Sequence, residues 1–116
     1  MDARRKLLLQ FYKALDDKDV EALMALLHPD VDFPSQLDGT RAHGFAEVRA
    51  YYVRAFGMVN AESTPTAFHS RPDGSMEVQV HHHVTSLEGA LWHEGPVNYR
   101  FEFRDGLITR FDPLDE

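Results

Sequence analysis

The chain has 116 residues, no cysteine and a formal net charge of −7. These values exclude a disulfide framework, a cysteine–zinc site and a thiol nucleophile, and the acidic balance argues against nucleic acid as a partner. We expect one domain over residues 1–116, with 43% hydrophobic residues to form its core. The sequence has neither an apolar run of membrane-spanning length nor a signal-peptide core, so we expect a cytoplasmic protein without a membrane partner.

The first part of the chain has apolar side chains at helical spacing. One helix is predicted over residues 7–15, with Asp2 as its N-cap. A second helix is predicted over residues 20–27, capped by Asp19 and stopped by Pro29. Two helices joined by this short polar turn can bury their apolar faces on each other or on a shared partner.

A short strand, Asp30–Phe33, is predicted next, and Pro34 ends it. Residues 35–44 contain the turn pair Asp38-Gly39 and are expected to form a loop or a short strand. A third helix fits Phe45–Phe56, and Gly57 suits a left-handed closing position.

After residue 60 the apolar period changes from helical spacing to two. Strands are predicted near residues 66–71, 77–85, 97–104 and 107–112, joined by turns. Pro65 indicates a sheet edge or a strand start, and Asp105-Gly106 is a strong hairpin signal. Helices followed by hairpin-linked strands predict an α+β fold, with three N-terminal helices packed on an antiparallel sheet.

Four strings of the sequence occur in an order that resembles a known superfamily. They lie at residues 11–23, 27–33, 43–48 and 101–108. They resemble, in turn, the helix–turn–helix opening, the entry to the first strand, the start of the third helix and the closing hairpin of the nuclear transport factor 2-like superfamily. The closest resemblance is to its SnoaL-like branch, and it covers nearly the whole chain.

The resemblance implies a cone in which a curved antiparallel sheet and the helices enclose a cavity. Curvature of this kind usually involves bulges and glycines, for which Gly89 and Gly95 are the candidates. Members of the superfamily include isomerases, dehydratases, cyclases and epoxide hydrolases that use the cavity as an active site. Other members serve only for binding or dimerisation. The fold alone therefore does not select an activity.

His82 is the first candidate catalytic residue. It interrupts the apolar face of Val78, Val80 and Val84, which lines the cavity in the implied cone. Desolvation would keep its imidazole neutral and able to accept or donate a proton near neutral pH. The structural alternative is a core histidine bonded to a neighbouring polar group.

His93 and Tyr99 are the other candidate catalytic residues. Counting back by two from Val97 turns His93 inward, whereas a bulge at Gly95 would turn Trp92 inward instead. By alignment of the closing hairpins, Tyr99 falls where steroid isomerases of the superfamily carry an oxyanion-stabilising acid, and a phenol can donate the same kind of hydrogen bond. Ordinary packing is the alternative for Tyr99.

Aromatic and aliphatic side chains are expected to form the core and the cavity wall, so the ligand would be a small hydrophobic molecule. No cofactor is required. The predicted ligand-binding residues are Phe33, Tyr52, Phe56, Val80, Val84 and Phe101, and Tyr12, Tyr51 and Phe45 are further expected wall or core residues.

The sequence also departs from some active members of the superfamily. Ser35 occupies the position of the steroid isomerases' general-base aspartate, which argues against that activity. Asp32 is expected to point outward. The Asp–Arg–Asp set of the epoxide hydrolases is not evident, because Arg100 and Arg104 lie on the polar face. Asp112 is a weaker candidate at the cavity rim.

The outer face of the sheet carries His81 and His83, whose spacing could chelate a metal with His69 as the third ligand. Surface or dimer-contact histidines are the preferred interpretation, so no metal site is assigned. The resemblance implies a homodimer through this convex face, whose polar side chains of both charges suit an isologous interface.

The sequence thus predicts a SnoaL-like protein with an apolar cavity for a small hydrophobic ligand. Its candidate reaction is cofactor-independent proton transfer of the isomerase, dehydratase or cyclase type, with His82 as acid or base and Tyr99 as donor. The alternative is a non-enzymatic domain for ligand binding or dimerisation. Whether the protein is an enzyme is left open by the sequence.

Overall fold

The computed structural model describes residues 3–35 and 40–114. These residues form an α+β fold with helices packed on one sheet, as predicted. The Asp2 cap and the Asp38-Gly39 turn lie outside the described residues. The elements are α1 (Ala3–Asp17), α2 (Val20–Met24), β1 (Leu27–Ser35), β2 (Thr40–His43), α3 (Gly44–Phe56), β3 (Val59–Ser70), β4 (Met76–Ser86), β5 (Leu91–Arg104) and β6 (Leu107–Pro113).

The predicted helices are present, with two corrections at their ends. The Asp19 carboxylate accepts a hydrogen bond from the Ala22 amide at 3.1 Å, so the predicted cap of α2 is confirmed. The helix ends at Met24 rather than near Leu27, because Leu27 already pairs with β6. Gly57 closes α3 with a φ of −86°, so the predicted left-handed conformation is wrong.

The sheet is mixed rather than antiparallel, with the strand order β2-β1-β6-β5-β4-β3. Strands β3 to β6 form antiparallel neighbours, but β1 runs parallel to β6. Local hairpin signals do not reveal this pair, because it joins strands from opposite ends of the chain. Pro34 lies inside β1 opposite Arg41 instead of ending the strand.

Four register shifts interrupt the sheet, and none is at the predicted glycines. One lies between Leu27 and Asp32, where β1 pairs with β6, and each of the other three has one extra residue. The extra residues are Thr66 in β3, Trp92 in β5 and Thr109 in β6. Gly95 pairs in regular register with His82, and Gly89 lies in the turn that follows β4. Since bulges bend and twist strands, these three shifts favour the predicted curvature.

The core contains packed phenylalanine rings from α1, β1, β5 and β6, together with other apolar side chains of the helices and strands. Phe11 packs edge-on against Phe33 and Phe101, with ring centroids 5.9 and 5.6 Å apart. Phe111 stacks on Phe101 at 5.2 Å. This cluster supports the side of α1 that faces the sheet. Among residues 3–35 and 40–114, no helix has the length and apolar character needed to cross a membrane.

Candidate functional site

A cavity of about 570 Å³ lies between the helices and the sheet. This volume is within the range of roughly 300–1,000 Å³ that is typical of small-molecule sites. Aromatic and aliphatic side chains of α1, α3 and the strands form most of its wall. Its polar or partly polar members are Tyr12, Lys18, Tyr51, Tyr52, Ser63, His82, Trp92, His93 and Tyr99.

His82 lies on the cavity wall in the middle of β4. Its cross-strand neighbours are Ser63 of β3 and Gly95 of β5, and such partners project to the same face of a sheet. The His82 Nε2 atom is 3.5 Å from the Tyr99 hydroxyl oxygen. This distance is at the long limit of hydrogen bonding, so the contact leaves the imidazole able to bond to a ligand oxygen.

The surroundings of His82 favour its neutral form. Burial is the main cause, and the nearby imidazoles of His93 and His81 add repulsion, so the pKa of His82 is lowered from 6.5 to about 4. At neutral pH the ring therefore carries one N–H donor and one acceptor nitrogen. The site presents a polar, uncharged hydrogen-bonding group within a largely apolar wall.

Both residues of the His93–Trp92 alternative line the cavity. His93 pairs with Val84 and keeps the inward alternation of Val97, while the bulge lies at Trp92. The bulge therefore adds Trp92 to the wall without turning His93 away. The rings of His82 and His93 are 6.4 Å apart between centroids, and Trp92 is 54% exposed to solvent.

Tyrosine hydroxyls form a second polar group at the cavity wall. Burial raises the pKa of Tyr12 and of Tyr52 well above 10, and the neighbouring Tyr99 contributes to both shifts. The Tyr12 hydroxyl is buried and has no hydrogen-bond partner among residues 3–35 and 40–114. These phenols therefore stay protonated and act as donors rather than as bases.

The turn between α1 and α2 adds a cation to the wall. Lys18 lines the cavity, and its ammonium donates a hydrogen bond to the Phe56 carbonyl at 3.0 Å. Next to it, the Asp16 carboxylate accepts the Ser63 amide at 2.9 Å and ties the end of α1 to β3. Burial is the main cause that raises the pKa of Asp16.

The predicted ligand-binding residues divide into two groups. Tyr52, Phe56 and Val84 line the cavity, as do the candidate residues His82, His93 and Tyr99. The other three predicted residues do not line it and lie in the core with 0% exposure: Phe33, Val80 and Phe101. Their inward direction follows from strand alternation, but other side chains cover them.

Some wall residues were not predicted, and one expected residue lies elsewhere. Sequence alone gave no signal for Lys18, which lies in a polar turn, or for Ser63, which lies on the cavity face because of its pairing with His82. Phe45, expected in the core or wall, is 42% exposed.

An ion-pair network lies outside the cavity and includes the acid considered at its rim. Arg41 bonds to Asp32 and to Asp112, each at 2.6 Å. Arg110 bonds to the same two carboxylates at 3.3 and 2.8 Å. An Asp–Arg–Asp arrangement therefore exists, but none of its members lines the cavity, and the rim position considered for Asp112 is wrong.

The histidines of the outer face lie beside a carboxylate. His81 and His83 are 3.6 and 3.5 Å from the Glu94 oxygens. Within the described part of the chain, no three His, Cys, Asp or Glu side chains are arranged to hold a metal ion. The metal alternative with His69 therefore has no geometric support.

The sequence profile of the SnoaL-like domain family matches residues 8–111. No curated protein is similar to the chain in sequence at a significant level. Among solved structures, TerC co-crystallised with polyporic acid is 22% identical with a TM-score of 0.83, over 99% of this chain and 92% of that chain.

Two further solved structures have the same fold. A nuclear transport factor 2-like protein of unknown function from Burkholderia pseudomallei is 20% identical, with a TM-score of 0.84 over 100% of this chain and 92% of that chain. A Mycobacterium tuberculosis protein in complex with estradiol-17β-hemisuccinate is 15% identical, with a TM-score of 0.86 over 100% of this chain and 95% of that chain. At these identities the likeness establishes the fold.

Proposed function

Because the chain belongs to the SnoaL-like domain family, we propose that it binds a small, largely hydrophobic molecule in its cavity. The observation that carries the proposal is the neutral His82 beside Tyr99 in an apolar cavity of about 570 Å³. Apolar walls supply affinity, while a few placed polar groups fix orientation. The ligand is therefore a compact ring compound with at least one oxygen that bonds to His82 and Tyr99.

Two structural neighbours support this ligand class. TerC was co-crystallised with polyporic acid, and the Mycobacterium tuberculosis protein was solved with estradiol-17β-hemisuccinate. Both compounds serve as practical probes for this chain. The single domain over residues 1–116 and a cone-like curvature of the sheet are part of the same proposal.

Cofactor-independent proton transfer is the second candidate function. It is favoured by the proximity of His82, Tyr99 and His93, which would act as acid or base, as oxyanion donor and as catalytic partner. The pKa of His82 near 4 argues for binding first, because a general base is most effective when its pKa is close to the working pH. A further alternative is a domain whose main role is association.

We also propose a homodimer through the convex face of the sheet. This face carries basic and acidic side chains, with Arg100 paired to Glu102 along β5 and His83 of β4 beside Glu94 of β5. A surface with both charges can be complementary to its own copy across a twofold axis.

Trp92 gives a direct test of binding, because it is the one tryptophan of the chain and lines the cavity. Polyporic acid and estradiol-17β-hemisuccinate are expected to change its fluorescence saturably, with titration calorimetry as the second measurement. His82→Leu, which removes both ring nitrogens, is expected to weaken binding about tenfold, the loss of one hydrogen bond. His69→Leu, at the exposed end of β3, is the matched control and should bind normally.

The outcomes separate the candidates. Saturable binding that His82→Leu leaves unchanged would remove His82 from the site, and no binding of either compound would favour the association alternative. Proton transfer predicts deuterium uptake from heavy water at an enolisable C–H of a polycyclic ketone, measured by mass spectrometry. His82→Ala should abolish that uptake in a folded protein, and continued uptake would contradict the catalytic role.

A further inference from the structure

We infer that Lys18 recognises an anionic group of the ligand, so that the ligand is a hydrophobic acid rather than a neutral ring compound. The inference rests on the proposed binding function and specifies its ligand class. It is carried by the position of Lys18 on the cavity wall, by the engagement of the neighbouring carboxylates, and by the hydrogen bond that holds its ammonium.

Lys18 occupies a backbone position that does not favour lysine. It follows α1 with a φ of 55°, in the left-handed region where glycine and asparagine are the usual residues after a helix. The turn itself therefore gives no reason for a lysine. Its side chain is half-buried on the cavity wall beside Leu15 and Val59, instead of extending into solvent.

Three aspartates surround Lys18 in the sequence, and each is bonded to another group. Asp16 accepts the Ser63 amide at 2.9 Å, Asp17 pairs with Lys13 at 2.8 Å, and Asp19 accepts the Ala22 amide at 3.1 Å. Within residues 3–35 and 40–114, no carboxylate forms an ion pair with Lys18. Among the described residues, a cation next to three acids thus has no carboxylate counter-ion at the cavity.

The ammonium is held in place by the end of α3. It donates to the Phe56 carbonyl at 3.0 Å, which uses one of its three donors. A last-turn carbonyl is a common partner for lysine, and this contact alone would be a structural role. The remaining donors can bind a carboxylate, sulfonate or ionised phenol, while the apolar wall strengthens the attraction by excluding water.

Two matched dyes test the inference: 1-anilinonaphthalene-8-sulfonate and its uncharged analogue N-phenyl-1-naphthylamine. Wild type is expected to bind the sulfonate more tightly than the uncharged dye, because the Lys18 ammonium attracts the anion. The preference should be only about tenfold, because the nearby aspartates offset part of this attraction. Lys18→Met should remove this preference and leave affinity for the uncharged dye unchanged. Lys18→Arg should retain it, and Lys13→Met, which removes an exposed cation paired to Asp17, should behave as wild type.

The results distinguish this inference from the proposed function. Binding of both dyes with equal affinity would contradict the anion preference and leave the cavity function standing. Binding of neither dye would contradict both. An equal loss of affinity for both dyes in Lys18→Met would assign Lys18 to the support of α3, which also overturns the inference; thermal unfolding of each variant shows whether the fold is retained.

Discussion

His82 shows how one polar side chain in an apolar wall acquires a defined state. Strand alternation directs it inward, Ser63 and Gly95 flank it, and Tyr99 approaches its Nε2 atom. Burial then disfavours its charged form. The same burial that keeps the ring neutral, on which the proposed ligand contact depends, makes folding stability depend on pH.

We predict that His82 lowers stability in mild acid. Its pKa is about 4 in the folded protein and ordinarily 6.5, so between these pH values the unfolded chain binds the proton first. The stability contributed by the neutral ring is complete above pH 6.5 and is lost as pH falls toward 4. Allowing for partial exposure, the loss is about 2 kcal/mol.

Urea unfolding at a series of pH values measures this effect as the difference between wild type and His82→Gln. As pH falls, the free energy of unfolding should decrease more for wild type than for His82→Gln. The values for His69→Gln should follow those of wild type. Parallel curves for wild type and His82→Gln would show that the ring is not held neutral.

At the scale of elements, charged side chains connect three neighbouring strands at one edge of the sheet. The short edge strand β2 is tied to β1 and β6 by Arg41, which contacts Asp32 and Asp112. Arg110 closes the network from β6. These side chains lie across the parallel β1–β6 pair, where the ladder shifts register between Leu27 and Asp32.

We predict that Arg41→Met destabilises the protein by about 1–2 kcal/mol, more than an ordinary surface pair, because two partly buried carboxylates lose a partner. Arg104→Met removes a single, more exposed pair with Asp30 and should change stability by less than about 0.5 kcal/mol. Urea unfolding gives both values, and hydrogen exchange should quicken in β2 only for Arg41→Met. Equal losses of stability in the two variants would show that the Arg41 pairs contribute no more than ordinary surface ion pairs.

At the scale of the whole molecule, the two faces of the sheet differ in chemical character. One face, with the helices, encloses the apolar cavity, and the opposite face carries the charged and imidazole side chains. This exposed polar face, which carries side chains of both charges, is the surface proposed for the homodimer.

The proposed dimer predicts a single species of twice the chain mass in sedimentation velocity. His83→Glu places a carboxylate beside Glu94 and, repeated across a twofold axis, should shift the protein to monomer. Gln10→Glu adds the same charge on the exposed side of α1 and should leave the dimer intact. A monomeric wild type, or a dimer unaffected by His83→Glu, would place association elsewhere.

Local patterns in the sequence determined most of the elements and the inward direction of the key side chains. Asp19 caps α2, Asp105-Gly106 joins β5 and β6 with positive φ at both residues, and period two directs His82 and Tyr99 inward. Each of these depends on neighbours within a few positions. The family, too, could be recognised from ordered local strings.

Tertiary structure alone decided which inward side chains reach the cavity and which are covered. Phe33 and Phe101 point inward but are covered by α1, while Lys18 and Trp92 reach the wall through a left-handed turn and a bulge. The parallel β1–β6 pair likewise depends on contacts between opposite ends of the chain. Periodicity encodes only the direction of a side chain relative to its own element, whereas burial and access depend on elements distant in sequence.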